Sequence, residues 1–238
     1  MIDDFFISSV AQFSESTDVK ALITDAIARR RMSRLIKMGV AVGLQCLQSA
    51  GLQTPDAIVT ASGFGFLADS EKLLRAIISS GESALSPTPF MQSTFNTIGS
   101  HLAIFTGCSG YNMAFSQRFD SLRSALIDSA MLLNSDCRSV LLVAADELTP
   151  SLAAILRRFG AERHGVSLSE GATAFLLTSS PSDSAIARLH FEGEASVPCH
   201  FPADQRLLAY PTADADLLAH LALCRQRGSV AGFSVSPC

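Results

Sequence analysis

Apolar residues recur three or four apart in some stretches of this chain and run unbroken in others, the pattern of helices alternating with buried strands. From Ser16, the run Ser-Thr-Asp-Val carries a helix-start signal, and Val19, Leu22, Ile23 and Ile27 fall on one helical face. Leu35, Met38, Val42, Cys46 and Leu47 repeat near the helical period, which predicts a helix over 33–49 stopped by Gly51. The apolar run 56–61, between Pro55 and Gly63, reads as a buried strand. Residues 70–78 and 93–105 read as helices. Between them Ser86-Pro-Thr-Pro89 reads as a loop, because proline fixes its own φ and restricts its predecessor. A turn over 107–110 precedes a strand 111–116, a sharp strand-to-helix turn over 117–120, an amphipathic helix and a buried strand 139–144. A helix 150–158 and strands 166–168 and 172–178 follow, the strands expected as a hairpin around Ser169-Glu-Gly. A linker-like SSPSDS, a strand 187–191 and an irregular stretch with Pro198, Pro202 and Pro211 come next. A helix 213–227 and a strand 229–235 end the pattern. This order predicts an α/β fold with a mainly parallel mixed sheet covered by helices on both faces.

The 238 residues suffice for a large core, and 48% are hydrophobic against 17% charged. A mean hydropathy of +0.31 is high enough to predict apolar surface that a partner covers. No run of 18 apolar residues occurs, so no membrane span is expected. The acidic start MIDDFF lacks the basic region of a signal peptide. Cysteines at 46, 108, 137, 199, 224 and 238 form no zinc-type spacing, so free thiols in a reducing cytoplasm are the expectation. A formal net charge of −4 argues against nucleic acid as a partner.

Few residues offer chemistry by type. Cys108, in a Gly-Cys-Ser-Gly turn, is a nucleophile by type but has no assigned base, and Cys238 closes the chain, where a thiol is poorly held. His101 and His164 are acid–base groups by type, more often structural or solvated in such settings. Ser116, Ser121 and Ser124 flank the sharp turn without a G-x-S-x-G motif, which argues against a hydrolase elbow. Gly63-Phe-Gly65 is too short for a dinucleotide fingerprint and reads as a turn that permits close packing. Arg29, Arg30, Arg31 and Arg34, with Lys37, form a basic cluster able to meet an acidic protein, or simply a solvated helix start.

Several of these features together resemble the β-ketoacyl synthases of the thiolase superfamily. Arg30-Arg-Met-Ser-Arg34 opens the first long helix and Gly63-Phe-Gly65 follows the first core strand. Pro89-Phe-Met-Gln-Ser-Thr-Phe-Asn96 and His101-Leu102 resemble the tunnel-lining segment and its helix. Arg163-His-Gly165 and Ser169-Glu-Gly-Ala172 resemble the family's hairpin. Ketosynthases place a cysteine nine residues after the glycine that opens the elbow strand. Counting nine from Gly110 reaches Phe119, so the resemblance implies that Phe119 occupies the nucleophile position and that no catalytic residue is present. The first catalytic histidine would follow the strand near Val235, where the sequence reads Ser236-Pro-Cys238.

The resemblance is closest to chain-length factors of the aryl polyene type. It implies a truncated thiolase-like fold: a ketosynthase-like N-terminal half over 1–180 and a partial C-terminal half over 181–238, packed as one domain. It implies a heterodimer with an active ketosynthase, or a dimer of heterodimers, elongating polyene or polyketide chains. It implies an acyl tunnel or partner interface at Phe90, Met91, Phe95, Tyr111, Met113, Phe115 and Phe119. Carrier docking falls to Arg29, Arg30, Arg31 and Arg34. No cofactor or metal is implied beyond substrates held on the phosphopantetheine of an acyl carrier protein. The alternatives from the residues alone are a free-standing acyl-transfer or thioester-hydrolysing enzyme using Cys108, and an acyl-binding scaffold.

Overall fold

The computed structural model describes residues 4–80, 85–161, 170–181, 185–192, 211–231 and 233–238, apart from the side chains of residues 119 and 211–214. The expected strand 166–168, the Arg163-His164-Gly165 run, Cys199, Pro198 and Pro202 lie outside them.

The chain builds one eight-stranded sheet from β1 (Phe5–Gln12), β2 (Ala57–Ala61), β3 (Tyr111–Phe115), β4 (Ser139–Asp146), β5 (Gly171–Thr178), β6 (Ala187–Phe191), β7 (Gly228–Val230) and β8 (Phe233–Pro237). Their order is β3-β2-β4-β5-β1-β6-β8-β7. The sheet is mixed as expected, but the parallel part is confined to β3-β2-β4. The other pairings are antiparallel, because β1 and β5 meet head to tail and the residues after 180 return as adjacent reversing strands. Those later strands extend the same sheet as β1, so both segments of the chain share one core.

Each face carries its own apolar layer. One is built on α3 (Arg34–Ala50) and α6 (Thr97–Thr106), the other on α7 (Ser121–Leu133) and α9 (Pro211–Leu223). The helices α3 and α6 approach closely because Gly39 and Gly43 lie one turn apart. A β-carbon there would stand 2.6 Å from Ile98 Cδ1 and 2.7 Å from Leu102 Cδ2. Gly51 ends α3 in the left-handed conformation (φ 68°), and Leu52 N–H closes the cap on Leu47 O at 3.0 Å, as expected of a glycine stop.

Three further expectations change. The helix read from Ser16 to Ile27 is two, α1 (Val19–Leu22) and α2 (Ala26–Arg31), because the Asp25 carboxylate accepts from Ile27 and Ala28 N–H and starts a new helix. The Ser86-Pro-Thr-Pro loop is instead the start of α5 (Pro87–Gln92), since the missing proline N–H groups fall in a first turn that has no acceptor for them. The single strand 229–235 is the β7–β8 hairpin, reversing beside Ala231 at φ 52°. The strand β1 had no counterpart in the sequence pattern. The remaining helices α4 (Leu67–Ser80) and α8 (Pro150–Arg158) lie where expected.

Candidate functional site

The parallel strands β2, β3 and β4 end side by side, and the loops beyond them form one hydrogen-bonded knot. Asp146, buried at the end of β4, accepts from Ser62 Oγ at 3.1 Å and from Gly63 N–H at 2.6 Å. Gly63 O in turn accepts from Arg118 N–H at 3.1 Å. Ser121 Oγ receives Gln117 N–H at 2.7 Å and lies 2.9 Å from Ser62 O and 2.7 Å from Arg118 O. These bonds clamp a sharp turn between β3 and α7, a 3₁₀ turn over Arg118–Asp120. Ligand and catalytic sites of open α/β sheets form at such strand ends.

The strained residue of the turn is Arg118, at φ 56°, directly before Phe119. A nucleophile elbow presents its side chain from such an apex. By backbone strain the apex is position 118 and by residue count it is 119. Neither Arg118 nor Phe119 carries a nucleophile.

β3 is the terminal strand of the sheet, and one of its edges is unpaired among the described residues. Tyr111 and Met113 (42% exposed) are open to solvent, while Phe115 is partly buried against the core. Tyr111 Oη donates to Asp128 Oδ1 at 3.2 Å. Burial, then the Asp128 charge, raises the tyrosine, and burial raises the Asp128 carboxyl. The α5–α6 segment presents Phe90 (62% exposed), Met91 (66%) and Phe95 (56%). Its backbone is held locally: Ser93 N–H donates to Pro89 O at 3.0 Å, and Thr97 Oγ1 to Thr94 O at 2.7 Å. Ordinary core is therefore not what these three residues form in this chain.

Met91 also borders a cleft of about 550 Å³ between α2, α5 and α6, with Arg31, Gln92, Thr97, His101 and Ile104. Gln92 Nε2 donates to Arg31 O and ties the basic cluster to the α5–α6 segment. The sequence shows both features but not their contact. Burial lowers His101, whose ring stacks on Phe105 with centroids 6.2 Å apart. Within the basic cluster, Arg29 donates to Ile23 O and Arg34 pairs with Glu170 at 2.5 Å. Arg30 and Arg31 remain exposed without an ion pair among the described residues.

Cys108 lies at the opposite end of β3 from the turn. Its thiol is buried and directed at Asp56 O at 3.9 Å. Burial pushes the Cys46 thiol up to about 12 and also raises Cys137 and Cys238. A nucleophilic thiol needs the opposite shift. Among the described residues no group of three or more metal-type ligands gathers, and no helix is long and apolar enough to cross a membrane.

The backbone strain at 118 and the exposed Ile104 were not read from the sequence. Gly63, Ser121 and the sharp turn over 117–120 stand out in the sequence, and Asp146, at the end of an apolar run, is a further sign of the knot.

The family profile of the β-ketoacyl synthase N-terminal domain matches residues 8–196. No curated protein sequence matches. Among solved structures, the fold is similar to a chain of the ketosynthase (ApeO) in complex with its chain length factor (ApeC) from Xenorhabdus doucetiae. The TM-score is 0.67 and the identity 19%, over 98% of this chain and 99% of that one. A type II polyketide synthase acyl-carrier protein in complex with its hexaketide-bound ketosynthase (AntDE:AntF) gives a TM-score of 0.64 and 15% identity, over 79% of this chain and 67% of that one. The ishigamide ketosynthase/chain length factor gives 0.56 and 16%, over 75% and 54%. At these identities the likeness is one of fold, the thiolase-like fold of ketosynthases.

Proposed function

This chain belongs to the β-ketoacyl synthase family through its N-terminal domain, and on that premise we propose that it is a non-catalytic subunit of the chain-length-factor kind. The observation that carries the reading is the clamped elbow between β3 and α7, built as a nucleophile support yet bearing Arg118 and Phe119. Covalent catalysis needs a nucleophile at that apex and a base beside it. Neither Arg118 nor Phe119 supplies that nucleophile.

The partner is an active ketosynthase. An unpaired edge strand with Tyr111 and Met113 outward is a template for strand pairing. Phe90, Met91 and Phe95 project from a locally braced segment, the arrangement that limits a partner's acyl pocket by excluded volume. The similar complexes pair ketosynthases with a chain length factor or an acyl-carrier protein. The product is a polyene or polyketide chain of the aryl polyene kind, extended on the phosphopantetheine of an acyl carrier protein. Arg30 and Arg31 are the cations best placed to meet an acidic carrier, because Arg34 is already paired with Glu170.

The test is co-expression with a full-length ketosynthase that carries the cysteine and histidines, followed by native mass measurement and condensation assay. The expected result is a heterodimer active only when both chains are present. Met113→Lys on the free edge should abolish the complex while leaving the chain folded. Condensation by the isolated chain, lost in Cys108→Ala, would overturn the reading.

A further inference from the structure

At the end of the sheet away from β3 lies a polar cluster that the function above does not use. β6 and β8 pair so that Arg188 stands opposite Ser236 and His190 opposite Ser234. Leu189, Phe233 and Val235 alternate with them into the core, so the four polar side chains share the outer face. Asp4, ahead of β1, reaches this face. Its Oδ1 lies 2.7 Å from His190 Nδ1 and its Oδ2 3.4 Å from Arg188 Nη1. Arg188 Nε donates to Ser236 Oγ at 3.4 Å. Arg227, from the turn before β7, completes an open cleft of about 510 Å³ with these residues. Glu192, next on the same face, accepts from Ser229 Oγ at 3.2 Å.

We propose that this cleft binds the phosphate of a small organic phosphate ester. Two guanidinium groups and an imidazole converge on a cleft lined by a single carboxylate, on a chain whose formal net charge is −4. Guanidinium forks match phosphate oxygens two at a time, and the flanking serine hydroxyls donate to a third. Asp4 holds Arg188 and His190 in place, while Arg227 forms no ion pair among the described residues and is open to an incoming anion. The volume falls in the range of small-molecule pockets, roughly 300–1,000 Å³, which fits an ester better than a bare oxyanion.

The full chain is titrated calorimetrically with phenyl phosphate and with inorganic phosphate, at ionic strength held constant with chloride. Saturable binding is expected, tighter for the ester, and weakened about fivefold by Arg227→Ala or Arg188→Ala, the size of one exposed charge pair. Asp4→Asn removes a competing charge and should tighten binding, an effect that a purely structural cluster would not show. No saturable binding, or affinity unchanged in both arginine variants, overturns the site. Equal affinity for the two ligands overturns the ester assignment. Neither ligand involves the partner subunit, so the outcome is independent of the function proposed above.

Discussion

The ring of Phe95 lies directly against Gly65: a β-carbon on Gly65 would stand 2.3 Å from Phe95 Cε1 and 2.6 Å from Cδ1. Gly65 adopts φ 69°, and its N–H donates to Ser62 Oγ at 3.0 Å, the hydroxyl that donates to Asp146. One glycine thus joins the aromatic α5–α6 segment to the knot that clamps the elbow.

Gly65→Ala should therefore destabilise the chain twice over. The left-handed backbone costs an L-residue about 1–2 kcal/mol, and the new methyl displaces the Phe95 ring. Denaturant melts of Gly65→Ala, Phe95→Ala and the double variant separate the two effects. The loss from Gly65→Ala should be smaller in the Phe95→Ala background. Equal losses in both backgrounds would show that the ring contact contributes nothing.

Much of this architecture was legible, because helix stops and buried runs act locally. Gly51 as a cap, the run 56–61 and the helix 150–158 needed only their own neighbours. Strand β1 was invisible for the opposite reason. It lies between β5 and β6 with both faces covered, and its Ser8 and Ser9 are satisfied by Thr178 Oγ1 at 2.8 Å and Cys46 O at 3.0 Å. A strand whose polar residues find partners that far along the chain shows no alternation to read. The site followed the same division. The sharp turn after β3 could be read from the residues that follow Gly110. The strain at Arg118 depends on acceptors in the Ser62–Gly63 loop, which spacing alone does not reveal.

Arg118 gives the second prediction. A non-glycine residue in the left-handed region persists only where its surroundings hold it, as Gly63 O and Ser121 do here. Arg118→Gly should match or exceed wild-type stability. Arg118→Val, which adds β-branching in a conformation that resists it, should lose about 1 kcal/mol or more. Thermal melts of the two variants decide it. A glycine variant clearly less stable than wild type would mean that arginine side-chain contacts, not the backbone, dominate the turn.

His101 gives a pH signature. Burial lowers its folded pKa below the ordinary 6.5. The unfolded chain then takes up a proton first as pH falls, so stability decreases below about pH 6.5 and levels off once the folded imidazole also protonates. Above that pH both states are neutral and the histidine contributes no slope. Replacing His101 with Gln should flatten the difference in unfolding free energy between pH 7.5 and pH 5.5 relative to wild type, within a window set by this shift. An unchanged pH dependence would show that the imidazole reaches water in the folded state.

Product length is the strictest test of the tunnel assignment. Phe90 and Met91 are more than half exposed, so truncating either to alanine should leave the isolated chain within about 0.5 kcal/mol of wild type, as surface changes do. A buried phenylalanine would instead cost on the order of 3–5 kcal/mol. If these side chains fill the end of the partner's acyl pocket, removing one lengthens the space available to the growing chain. Phe90→Ala and Met91→Ala, each co-expressed with the ketosynthase proposed as partner, should then keep the complex and turnover while shifting products to greater mass. Phe95→Ala should do the same with a small stability loss, since its ring also packs on Gly65. The measurements are product mass spectra and the melting temperature of each complex. Unaltered product length in all three variants, with intact complexes, would leave this surface as a docking face and remove its role in setting chain length.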